Sequence, residues 1–228
     1  MRRFHLHLSL FATLLFVGCA TPDNHFTLTT NRDTRQVSFS GKIFPSTFNA
    51  WHTWPKDHHF IVWKNGNAAR NALIQADVND LEIQSALESL GAVAGNNLTL
   101  NSWDKRDNAA NPDPDLRVEG TAIDVKIAWH NTTPVSAAEI FKDAAGHGFE
   151  FRFGGHRAFV PVWKSGCVVC LESCPGGRIS NARYTLRDYA KDIAKFEVRK
   201  DQLPPDGTPV VITFTVLVAV LPGDAAAQ

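Results

Sequence analysis

From Val37 onward, apolar and polar residues alternate in runs of strand length. "VSFSGKIF" (37–44) predicts a strand, stopped by Pro45. "HHFIVWK" (58–64) predicts another, and the Asn65-Gly66 behind it tolerates positive φ at both central positions of a tight hairpin. "AARNALIQADV" (68–78) is then the returning strand. In "NDLEIQSALESLG" the period changes. Ile83, Ala86, Leu87 and Leu90 fall on one helical face, with Asn79 and Glu82 as a capping box and Gly91 as the stop. "NNLTLNSW" (96–103) and "TAIDVKIAW" (121–129) read as strands. "TPVSAAEIFKDAAG" (133–146) predicts a second short helix, capped by Thr133, with Pro134 as its first residue. "TPVVITFTVLVAVLP" (208–222) is a β-branched run too short to span a bilayer as a helix, and it predicts a central strand. Together these predict an α+β domain over 37–222: a mainly antiparallel β-sheet with two short helices packed on it.

"GFEFRFGGHRAFVPVW" (148–163) has the pattern of a hairpin turning at Gly154-Gly155. In that register Phe149, Phe151 and Phe153 share a face with His156, Ala158 and Val160. His156 then sits at the tip, upstream of "KSGCVVCLESCPGG", where three of the four cysteines occur. Bacterial ferredoxin-type clusters use C-x2-C-x2-C-x3-C-P, and Lys164, Cys167, Cys170, Cys174 and Pro175 keep that spacing with lysine in the first cysteine's place. Three readings stay open. Cys167, Cys170 and Cys174, with His156 as fourth ligand, hold an iron–sulfur cluster. The same four residues form a closed Cys3His zinc site. Or two of the cysteines form a disulfide and there is no cofactor, in which case Cys167 and Cys170 could also be a redox-active pair.

The N-terminus bears on these readings. Arg2 and Arg3 precede an apolar run, Leu6 to Val17, that ends in "LFVGCA". That is a signal peptide over 1–18 with Cys19 placed for lipidation, followed by a polar tether over 19–36. Ala20 behind the cysteine favours the outer membrane, with the folded part facing the periplasm. Thiols pair readily in that oxidising compartment, and three of them leave one over. The charges balance at 23 basic and 23 acidic residues, so no global field points to nucleic acid. There is no Gly-rich phosphate loop and no H-E-x-x-H or Ser-His-Asp pattern, so nucleotide binding and hydrolase chemistry have no support. Of the six tryptophans (Trp51, Trp54, Trp63, Trp103, Trp129 and Trp163), any could line a groove, although core positions are commoner.

"FIVWKNGNAARNALIQADV", "ALESLGAVAGNNLTL", "VEGTAIDVKIAW" and "RFGGHRAFVPVWKSGCVVCLESCPGGRISNARYTLRDY" resemble the YdjY-like family of bacterial envelope proteins over most of residues 39–217. The resemblance implies an envelope location and a ferredoxin-like label, and it implies no established activity. The expected function is a lipoprotein that binds a metal or iron–sulfur centre in a redox-linked process, with an envelope protein as partner. The competing expectations are an accessory binding module with a disulfide-fixed loop and a thiol–disulfide oxidoreductase.

Overall fold

A computed structural model describes residues 28–48, 58–108, 110, 115–130 and 132–217. The expected signal peptide, Cys19, the first part of the expected tether, Trp51 and Trp54 lie outside the described residues. The first half of the chain forms β1 (Leu28–Asn31), β2 (Gln36–Ile43), β3 (His59–Trp63), β4 (Ile74–Ala76), α1 (Asp80–Ser89), α2 (Leu100–Asp104) and β5 (Ala122–Ala128). The second half forms α3 (Ala137–Ile140), β6 (Phe141–Asp143), β7 (Phe151–Phe153), α4 (Val160–Trp163), β8 (Cys167–Cys170), β9 (Ile179–Asn181), α5 (Leu186–Ala190), β10 (Phe196–Val198) and β11 (Thr208–Leu217). No helix among the described residues is long and apolar enough to cross a membrane.

The expected open sheet is corrected to a closed barrel, and the fold is mainly β. Its strands run in the order β2-β11-β5-β7-β9-β8-β3-β4, and β4 pairs back onto β2 through Gly41–Ala76, Lys42–Gln75 and Ile43–Ile74. β1 flanks the ring, pairing with the first half of β2. Closure depends on β4, three residues paired parallel to β3 and antiparallel to β2. So short a strand has no alternation by which its sequence could announce two partners. Closing the ring pairs each of its eight strands on both sides, which removes the open edges of a flat sheet.

The strands on either side of β11 follow the rule of two. In β11, Thr208, Val210, Ile212, Phe214 and Val216 are buried. Its neighbours bury Val37, Phe39 and Ile43 in β2, and Ile123, Val125 and Ile127 in β5. Phe39 and Phe214 meet edge to face, with centroids 5.2 Å apart. α1 forms where its periodicity predicted. Ile83, Ala86 and Leu87 are buried, the Asn79 side chain accepts from the Leu81 N–H, and Gly91 at φ 88° follows the last turn. α1 packs against β2 and β8.

Four local expectations fail. Asn65-Gly66 does not turn a hairpin. The chain crosses over through a 3-10 turn at Ala69–Asn71, and β4 runs parallel to β3. Gly66 instead lies against the run-up to the cysteines, where a Cβ would come 2.3 Å from the Ser165 carbonyl oxygen. Gly154-Gly155 does not pair Phe153 with His156. β7 pairs with β5 and β9, and the chain after His156 coils into a 3-10 turn and α4. "NNLTLNSW" ends in α2, where Thr99 and Ser102 form a capping box. The second helix shrinks to α3, capped by Ser136 and Glu139 in place of Thr133, and its remainder becomes β6.

Candidate metal centre

β8 and β9 are parallel, with Val169 opposite Ile179 and Cys170 opposite Ser180. Residues 171–178 must therefore carry the chain back to the starting end of β8 within one short connection. That connection folds Cys174 over Cys170. Its backbone is tied down at several points: Leu171 N–H donates to the His58 carbonyl (2.9 Å), Ser173 N–H to Tyr184 (3.0 Å) and Arg178 N–H to Cys167 (3.2 Å). Ser180 Oγ donates to the Cys174 carbonyl at 3.2 Å.

Residues three apart on a regular strand face opposite sides. Cys167 and Cys170 escape that rule because the β3–β8 ladder shifts register twice, between His59 and Ile61 and again between Ile61 and Val62. Their sulfurs lie 2.7 Å apart. That is outside bonding distance for a disulfide, and Cys167, Cys170 and Cys174 are all free and buried, at 1%, 0% and 3% exposure. The bulge that aligns the cysteines also brings in the residues facing them. His59 is opposite Cys170, and its Nδ1 lies 3.7 Å from Cys167 Sγ. The His58 and His59 rings touch at a tilt of 46°, with centroids 4.0 Å apart. The donor atoms of His58, Cys170 and Cys174 lie within 4.8 Å of one another, and so do those of His59, Cys167 and Cys170. These buried groups could hold a metal ion.

The walls are small and apolar. Val62, Ala68, Ala69 and Ala72 pack around the sulfurs, with Trp103 and Trp163 half-buried against them. The Cys-Pro-Gly-Gly sequence is needed at close range. Gly176 N–H donates to Cys174 Sγ (3.4 Å), and a Cβ there would come 2.6 Å from Trp163 Cε3. A Cβ on Gly177 would come 2.9 Å from Cys170 Sγ, the Ile179 carbonyl oxygen and Ser180 Oγ.

The YdjY domain matches residues 28–215, which takes in the barrel and the cysteine connection together. The chain belongs to the YdjY family. An Escherichia coli (strain K12) relative, named Uncharacterized protein YdjY, is 31% identical over 160 residues, covering 69% of this chain and 67% of that one. No solved structure matches. Neither name specifies an activity, so chemistry has to be argued from this YdjY domain's own donors.

The expected site residues fall into two places. Cys167, Cys170 and Cys174 converge. His156 is buried but belongs to neither donor set: its Nε2 accepts from the Leu98 N–H at 3.1 Å. Lys164, at the missing cysteine's position, is exposed and left-handed at φ 50°, and its carbonyl accepts from Asn67 N–H at 3.0 Å. Sequence reasoning missed His58, His59, Glu172 and Arg178. A signal was present in each case. Two histidines open an apolar strand, and an acid lies between two of the cysteines and an arginine behind them in a chain segment otherwise dense in small and apolar residues.

Electrostatics separates the thiols. Burial pushes Cys170 well above its ordinary value, and hydrogen bonding to Cys167 and Cys174 adds to the effect. Cys174 goes down, held first by its hydrogen bond with Cys170, then by the Gly176 and Gly177 N–H groups and the Arg178 charge. Arg178 is itself buried. It donates to the Gly176 carbonyl at 2.9 Å and sits 3.7 Å from Asp80, an ion-pair distance too long for a hydrogen bond. Burial drives both members of that pair toward neutrality, with desolvation the first cause for each. The Arg178 charge also reaches the sulfurs, as the last of the causes that lower Cys174. Burial lowers His59 to about 4, so its ring is neutral and able to ligate. Glu172 is pushed well above the carboxylate range, by burial first and by Cys174 and Cys167 next. Its contact with His58 at 3.6 Å is too long for a hydrogen bond, and neither oxygen has a hydrogen-bond partner among the described residues.

Proposed function

We propose that this chain is an envelope lipoprotein, anchored through Cys19 at the outer membrane and facing the periplasm, that binds a metal or iron–sulfur centre in a redox-linked process. Cys167, Cys170 and Cys174 supply thiolate ligands, and His58 and His59 supply imidazole. The observation that carries the reading is the convergence of three thiols and two imidazoles in one buried, apolar pocket. Thiolate and imidazole together select soft and borderline metals: zinc, copper, or iron in clusters. Thiol–disulfide exchange is disfavoured, because it needs an accessible, acidified cysteine and these three are buried. The redox element draws support from the aromatic neighbours. Tyr189 lies edge-on to His58 (4.8 Å) and stacks on Trp103 (5.8 Å), which links the pocket to a partly exposed ring where an envelope partner could exchange electrons.

The test is native mass spectrometry of the detergent-released full chain, purified without oxygen and compared with its denatured mass. A metal, or iron with sulfide, lost on denaturation is the expected result. A metal-free chain, or one lighter by two hydrogens, overturns the reading. Membrane fractionation tests the anchor: Cys19→Ser should release the protein from the outer membrane, and a variant that stays bound removes lipidation.

A further inference from the structure

The site has five thiol and imidazole donors, one more than a tetrahedral ion uses. They form two sets of the same composition, one imidazole and two thiols each, and the sets share only Cys170. A single ion held by four of them would leave the fifth outside its coordination shell. Two ions use all five, provided one sulfur serves both. Cys170 is placed for that. It is the central cysteine, with Cys167 Sγ 2.7 Å away and the Cys174 sulfur within 4.8 Å.

We infer that the pocket holds two ions with the Cys170 thiolate bridging them, one ion completed by His58 and Cys174 and the other by His59 and Cys167. This rests on the metal-binding reading above and specifies its stoichiometry and ligand class. Each ion has three protein donors, N1S2, and among the described residues no fourth histidine, cysteine or carboxylate joins either set. The pocket is closed by Trp103, Trp163 and the alanines of the β3–β4 crossover. Zinc favours four ligands, whereas copper(I) is a soft cation content with three, and thiolates select it. The geometry points to a pair of copper(I) ions. Binding involves no electron transfer: each thiol proton displaced goes to solvent as a sulfur–copper bond forms.

The experiment uses the full chain in detergent, stripped of metal under reductant and titrated without oxygen with copper(I) buffered by a competing chelator. Ions per chain are counted by native mass spectrometry. Saturation at two ions, with a copper–copper shell in X-ray absorption, is the expected result. His59→Ala and His58→Ala should each saturate at one. Cys170→Ser should weaken both ions together by about tenfold or more. Circular dichroism confirms the fold of each variant, and the wild-type count depends on no variant. One copper or one zinc at saturation overturns the pair and leaves the metal-binding reading standing. Iron accompanied by inorganic sulfide does the same, since sulfide then bridges in place of Cys170. Two ions unaffected by Cys170→Ser also overturn it. A chain that takes up no metal overturns both readings.

Discussion

The β2–β11–β5 wall and the β3–β8–β9 wall belong to one barrel and obey different rules. The first pairs without interruption for eight residues between β2 and β11, buries one face and leaves the other to solvent. In the second, β8 and β9 are buried at every position, the ladder to β3 is bulged twice, and polar groups lie inside. Arg178, Glu172, His58 and His59 are all at or below 5% exposure there. The first wall gains from apolar burial, at about 25 cal/mol per Å². The second incurs desolvation that its own contacts offset only in part: Glu172 has no hydrogen-bond partner among the described residues, and Arg178 holds Asp80 at 3.7 Å. Residues kept in so unfavourable a state mark where a ligand is expected to complete the structure.

The sharpest way to break the comparison is to damage each wall and ask whether the other notices. Phe214→Ala removes a fully buried ring from the regular wall and should cost about 3–5 kcal/mol in urea unfolding. Metal content per folded chain should stay at the wild-type value. A parallel loss of metal would mean that the two walls are one cooperative unit.

Next in size is a pH effect from His156, which burial and then Arg178 lower to about 4. Between about 6.5 and about 4 the unfolded chain binds a proton that the folded chain refuses, so stability falls as pH falls through that window. The contribution is at most roughly 3 kcal/mol. His59 titrates in the same sense and remains in both proteins, so His156→Gln should flatten the pH–stability curve relative to wild type without abolishing its slope. Identical curves for the two proteins would remove His156 from the account.

Gly177→Ala sharpens the comparison from the metal side. Its Cβ would collide with Cys170 Sγ and with backbone, so it should cost about 1–3 kcal/mol and weaken metal retention about tenfold or more. Wild-type metal affinity in a folded G177A protein would mean that the sulfurs are not packed as described. The smallest effect is expected from Lys164→Ala. The side chain is exposed and only the backbone N–H and carbonyl are used, so stability should move by less than about 0.5 kcal/mol, with metal content unchanged. Any loss of metal would mean that the lysine side chain contributes to the site.

Wherever a segment was long and one-sided, its sequence was enough to name it. β11, β5, β2 and α1 each bury one face more deeply than the other over seven or more residues, so their period is set by local geometry. The three cysteines were legible as a site for a similar reason: their chemistry is rare and their spacing short. Barrel closure was not legible, because it rests on three residues of β4 and a parallel crossover, and pairing partners leave no trace in so short a run. His58 and His59 were not legible as donors, because they lie more than 100 residues before Cys167 and reach it only through a bulged ladder. Register and bulges are properties of two strands at once, so a single strand's sequence cannot encode them. For this chain, sequence alone determined that three cysteines lie close together in one short segment and which strands hold the regular wall. The tertiary structure decided that the sheet closes, that the cysteines face one another and that two imidazoles join them, because each of these is a contact between segments distant in the chain.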